Sequence, residues 1–162
     1  MASARERLHS VAVDAVMTRS PVTLELDATL SDAAEALLEG GFRHLPVVTA
    51  EGRLAGMLSE RDLRSRLGTD AASFLDATLE ALQEPVSEAM TPDPIYVRAG
   101  APLADVLPIF ADEGVGAVPV LDAGDRVVGI VSYVDLLRAL ARRAVAGRGG
   151  AAAAHPRGLP SP

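Results

Sequence analysis

The chain contains itself twice. Set against itself at an offset of 73 positions, residues 13–67 align with residues 86–140 without a gap, and 17 of those 55 positions are identical. Richness in Ala, Gly and Pro does not generate such a match, because the identities include Met17/Met90, Thr18/Thr91, Asp32/Asp105, Arg53/Arg126, Ser59/Ser132 and Asp62/Asp135. It marks a duplicated structural unit. The constraint on the fold is strong: a unit of about 55 residues buries only enough apolar surface to be marginal alone, and its strand face needs a cover, so two copies are expected to cover each other's strand faces.

Each copy reads as strand, helix, strand, strand, helix. "VTLEL" (22–26) and "IYVR" (95–98) alternate apolar and polar residues at period two, which predicts half-buried strands. "TLSDAAEALLEGG" predicts a helix that Thr29 or Ser31 caps and Gly40 or Gly41 ends, with Leu30, Ala33, Ala34, Leu37 and Leu38 on one face. In the second copy Pro102 stands near the tolerated first position of the helix, whereas Pro108 lies inside it and predicts a bend. "HLPVV" and "LAGML", like "AVPVL" and "VVGIV", are apolar pairs around a polar turn and predict hairpins.

The expectation is an α/β (α+β) fold of two repeats, 13–67 and 86–140, about a pseudo-twofold axis. An N-terminal segment, 1–12, precedes them. A linker, 68–85, joins them and is expected to hold a helix around Phe74 to Leu82. An Ala/Gly/Arg/Pro tail, 141–162, is expected to be disordered.

Charge and composition exclude several functions. The net charge is -7 and every basic residue is an arginine; four of these, Arg142, Arg143, Arg148 and Arg157, lie in the acid-free tail, leaving a strongly acidic body. Such a body repels a phosphate backbone, so nucleic acid is not expected as a partner. The absence of cysteine removes disulfides and thiolate chemistry. No apolar run approaches the ~18 residues that cross a bilayer, and "MASARERLHS" lacks the hydrophobic segment of a signal peptide. A soluble, cytoplasmic protein with no membrane association is expected. His9, His44 and His155 are scattered, HExxH is absent, and without lysine there is no phosphate loop of the GxxxxGK[ST] kind. Ser59 has no evident base, so neither catalysis nor a metal is expected.

The most informative repeated string is "GMLSERDL" (56–63), which returns as "GIVSYVDL" (129–136). Two apolar residues end a strand, Ser59 opens a helix, and Asp62 lies in its first turn. Serine, carboxylate and helix N–H groups together suit a phosphate and a ribose diol. The same residues also suit a plain capping pair worth ~1 kcal/mol. Both roles can hold at once.

With "VMT" and "AMT" followed by Pro21 and Pro94, and with "HLPVV" and "AVPVL", these strings resemble a tandem pair of CBS domains, the modules named after cystathionine beta-synthase. The resemblance covers about 110 residues. It implies a disc-like module whose central cleft holds an adenosine compound such as AMP, ADP, ATP or S-adenosylmethionine, assembled as a homodimer through its helices and acting on an unidentified effector protein. By resemblance Asp62 and Asp135 contact ribose, and Ser59 and Ser132 lie toward phosphate. Val22, Thr23, Leu45 and Pro46, with Ile95, Tyr96, Val118 and Pro119, surround adenine.

The repeats differ where the resemblance places phosphate contacts. Arg43, His44 and Arg61 stand in the first copy where Gly116, Ala117 and Val134 stand in the second. One competent site organised around Asp62 is expected, with one around Asp135 that is weaker, accepts a less charged ligand or is empty; alternatively, Arg43 or His44 serves, across the cleft, a nucleotide anchored at Asp135. Arg61 can instead pair with Glu60 or Asp62 on the surface. The competing reading is a ligand-independent dimerisation or docking module that uses Leu63, Leu67, Leu136 and Leu140.

Overall fold

The computed structural model describes residues 3–67 and 79–148. Ser3 caps a short helix, α1 (Ala4–His9), in a capping box with Glu6. The first repeat continues through β1 (Thr18–Arg19), β2 (Leu24–Glu25), α2 (Leu30–Gly40), β3 (His44–Val48), β4 (Leu54–Ser59) and α3 (Glu60–Leu67). The second repeats the order as β5 (Thr91–Pro92), β6 (Val97–Arg98), α4 (Leu103–Glu113), β7 (Ala117–Leu121), β8 (Val127–Ser132) and α5 (Tyr133–Arg148).

Local chemistry sets these boundaries. Thr29 and Asp32 form a capping box at the start of α2: the Asp32 N–H donates to Thr29 Oγ1 at 3.2 Å and the Thr29 N–H to Asp32 Oδ2 at 2.8 Å. Gly41 ends the helix at φ 64°, a left-handed conformation that glycine adopts without steric cost. In α4, Pro102 is the N-cap, and Pro108 is carried inside an unbroken helix with its ring on the exposed side.

Two expectations are corrected. The strands "VTLEL" and "IYVR" shrink to Leu24–Glu25 and Val97–Arg98, because the residues ahead of them cross from one sheet to the other. Helix α5 runs on to Arg148, past residue 140 where the tail was expected to begin; "ARRAVA" is made of good helix formers that extend a helix once it is nucleated. Residues 79–81 are helical; the remainder of the expected linker helix, 74–78, and the tail from 149 lie outside the described residues.

The strands form two four-stranded sheets, ordered β2-β3-β4-β5 and β1-β8-β7-β6. Each sheet therefore takes an edge strand from the other repeat, since β5 pairs antiparallel with β4 and β1 with β8. The exchange reaches the cores. Val86 is wholly buried among Leu24, Leu30, Leu45, Val47 and Leu58 of the first repeat, and Val13 among Val106, Val118, Val120 and Val131 of the second. The Val86 N–H donates to the Ala28 carbonyl at 2.7 Å and the Val13 N–H to the Ala101 carbonyl at 2.8 Å. Met90 lies on Gly56 and Met17 on Gly129, so closely that a Cβ on either glycine would collide with the methionine sulfur.

The opposite sheet faces meet. Leu45 and Val47 point toward their helices, while Pro46, Val48 and Met57, with Ala117, Pro119 and Leu121 of the second repeat, are buried yet belong to neither core. The two hairpin turns close one end of this seam: the Val127 N–H donates to the Gly52 carbonyl at 3.3 Å and the Leu54 N–H to the Asp125 carbonyl at 3.4 Å.

Candidate functional site

The start of α3 is built as a capping pair. Asp62 Oδ2 accepts from the Ser59 N–H at 2.8 Å and from the Ser59 hydroxyl at 2.6 Å, and the Asp62 N–H donates back to Ser59 Oγ at 3.1 Å. Ser132 and Asp135 repeat the arrangement at the start of α5, at 2.9, 2.8 and 3.2 Å. The adjoining N–H groups are also engaged, that of Glu60 with the Arg43 carbonyl at 2.9 Å and that of Tyr133 with the Gly116 carbonyl at 3.1 Å. The open helix-start anion site expected from the sequence is therefore largely closed by the protein itself. The Ser59 hydroxyl hydrogen is committed to Asp62, which leaves the neighbouring side chains as the main donors open to an anion.

Those side chains are together. A cleft of about 640 Å³ opens between the repeats where β4 meets α3. Arg43, His44, Ser59 and Arg61 line it from the first repeat, and Gly114 and Gly116 face them from the second. Glu60 and Arg64 complete the wall as an ion pair with each other, and the alternative surface pair of Arg61 with Glu60 or Asp62 is not formed among the described residues. Arg43 and Arg61 have no ion-pair partner among the described residues.

The imidazole of His44 spans the seam: a Cβ on Gly116 would lie 2.6 Å from its Cε1 and Nε2. Burial holds His44 below the usual histidine range; Asp62 and Glu60 pull it up and Arg43 pushes it further down. Gly116 is the aligned counterpart of Arg43, so the glycine that looked like a missing phosphate ligand also makes room for His44.

Asp62 stands just outside the wall of this cleft, with its Oδ2 turned onto Ser59, which lines it. Its other oxygen, Oδ1, accepts no hydrogen bond among the described residues, whereas Oδ1 of Asp135 lies 3.8 Å from Arg138. The adenine candidates divide. Val22, Ile95 and Tyr96 are apolar yet 45%, 40% and 45% exposed, while Thr23 is half-buried. Leu45 and Val118 are spent in the two cores, and Pro46 and Pro119 are buried on the seam.

Tyr96 lines a second hollow of about 400 Å³ near the hairpin turns, with Arg53, Asp93, Pro94 and Arg98. There the Arg98 guanidinium lies 5.1 Å from the Tyr96 ring centre and pairs with Asp125 at 2.6 Å. Sequence reasoning missed Arg64, which stands one helical turn beyond Arg61 and Glu60 and was legible from that spacing. It also missed Arg98 and Arg53, whose placement depends on the crossing between sheets.

A family model described as the CBS domain matches residues 13–69 and 86–142. The chain belongs to the CBS-domain family. It is 33% identical over 131 residues to a CBS domain-containing protein of Dictyostelium discoideum, covering 78% of this chain and 89% of that one. Other relatives are longer, and the chain spans 46%, 39% and 22% of three of them. Among solved structures, this CBS pair is similar to CBSX2 of Arabidopsis thaliana in complex with AMP, with a TM-score of 0.71 and 25% identity over 83% of this chain and 99% of that one. It is also similar to the CBS domain pair of protein MJ0100 in complex with 5'-methylthioadenosine and S-adenosyl-L-methionine, with a TM-score of 0.67 and 26% identity over 82% and 98% of the two chains.

Proposed function

We propose that this CBS pair is a non-catalytic regulatory module of the cytoplasm that senses an adenosine compound, AMP, ADP, ATP or S-adenosylmethionine, in the cleft between its repeats. The observation that carries the reading is the cleft beside α3, where Arg43, His44 and Arg61 of an otherwise acidic chain converge. Solved relatives that bind AMP, or S-adenosylmethionine and methylthioadenosine, support it. Asp62 Oδ1 is the acceptor for the ribose diol, and Val22, Thr23, Ile95 and Tyr96 offer apolar and backbone contact to the base. A ligand spanning both repeats favours one relative arrangement of the sheets by its difference in affinity for the alternatives.

A thermal-shift screen tests this. A ligand at 100 times its Kd stabilises the folded state by about 2.7 kcal/mol, which raises Tm by several degrees. Asp62→Ala is expected to lose about 1.5–3 kcal/mol of binding as a charge-assisted bond disappears. A flat screen across all four compounds overturns the reading.

A specific observation favours a second reading. Of the docking residues read from the sequence, Leu63 and Leu136 are buried in the two cores and Leu67 packs against the first, which leaves Leu140; with it, Tyr133, Val134 and Leu137 of α5 are exposed apolar residues, where α3 has Glu60, Arg61, Arg64 and Leu67. Such a face suits a homodimer contact or an effector protein. Persistent dimerisation with a flat ligand screen favours it.

A further inference from the structure

The cleft beside α3 contains one group whose charge changes near neutral pH, His44. Every element packed around it contributes a defined charge. Arg43 immediately precedes it, just ahead of β3, and Ser59, paired with it in the sheet, is neutral. From α3 come Glu60, which pairs with Arg64, and Asp62, both of which favour a proton on the imidazole, together with Arg61. From the other repeat, Gly114 and Gly116 face the cleft and carry no side-chain charge, and the imidazole lies against Gly116.

With no ligand bound, the half-buried imidazole thus shares the cleft with two guanidiniums that no carboxylate pairs with among the described residues, and desolvation, with Arg43, outweighs the pull of Asp62 and Glu60 toward a positive charge there. A phosphate reverses both effects. It offsets the repulsion from Arg43, and it gives a protonated imidazole a charged acceptor that compensates its desolvation.

We propose that His44 takes up a proton when a phosphorylated ligand enters the cleft, so that the module reads pH and phosphate charge together. The inference rests on the nucleotide-binding reading above and adds its regulation. Because the His44 ring touches Gly116, the protonation is felt across the seam by the second repeat.

The test uses the full chain and whichever of AMP and ATP raises Tm more. Calorimetric titrations at one pH, in buffers of different ionisation enthalpy, give the protons taken up on binding, and titrations between pH 6 and 8 give the slope of Kd. Wild type is expected to take up more protons than His44→Gln. Its Kd is also expected to tighten more steeply than that of His44→Gln as pH falls, the two slopes differing by up to about tenfold per pH unit. Ionisation of the ligand's own phosphate is common to both proteins and cancels.

Adenosine, which has no phosphate, is expected to show no such difference. NMR titration of the His44 ring in wild type, free and loaded, gives the same answer without a substitution: the ring is expected to titrate at higher pH in the complex. Equal proton uptake and slope in the two proteins, or an unmoved His44 titration in a loaded complex, overturns this inference alone. Absence of binding by both nucleotides at every pH overturns it together with the nucleotide reading.

Discussion

Asp62 and Asp135 each hold a helix start closed, so their removal is felt without any ligand. Asp62→Ala is expected to lower stability by about 1 kcal/mol in urea unfolding, and Asp135→Ala by a similar amount; only the former is expected to weaken nucleotide binding as well. His44 gives a pH signature. Its imidazole is held below the usual range by burial, so its contribution to stability is complete above the unfolded-state value of about 6.5 and is lost as pH falls below it, where the unfolded chain takes up a proton first. Unfolding free energy measured at pH 7.5 and 5.5 is expected to fall more in wild type than in His44→Gln. The capping chemistry of these residues was legible in the sequence, because Ser59 and Asp62 are three apart. The occupation of the neighbouring N–H groups was not, since it depends on the carbonyls of Arg43 and Gly116, which lie just ahead of β3 and β7.

Helices and hairpins were readable from periodicity and punctuation, and Thr29, Gly41 and the polar turns fall where capping and turn chemistry put them. The short edge strands were not, because two residues carry no pattern and their partners lie in the other repeat. Yet the repeated identities encoded that exchange. Met17/Met90 and Gly56/Gly129 are the two sides of one contact made twice, and Val13/Val86 with Ala28/Ala101 are another. Gly129→Ala is expected to destabilise the protein by about 1–3 kcal/mol through overpacking. Met17→Ala in the same chain is expected to recover part of that loss, which a double-mutant cycle of unfolding free energies measures. Met90→Ala is expected to give no such recovery, since it lies on the other glycine.

At the scale of the molecule, the two cores are interdependent although their helices are separate. Deleting residues 1–17, which removes Val11 and Val13 from the core of the second repeat, is expected to strip protection from the amides of β7 and β8 before those of β3 and β4, as hydrogen exchange read by mass spectrometry reports. A single repeat is consequently an unfinished object, with an arm that has nowhere to go and a socket that nothing fills. A peptide of that length reaches a complete interior only by trading arms with a twin. Joining the twins on one gene turns an encounter that depends on concentration into one that depends on tether length alone, and it frees each half to diverge, as the arginines gathered on one side and the bare glycine on the other record.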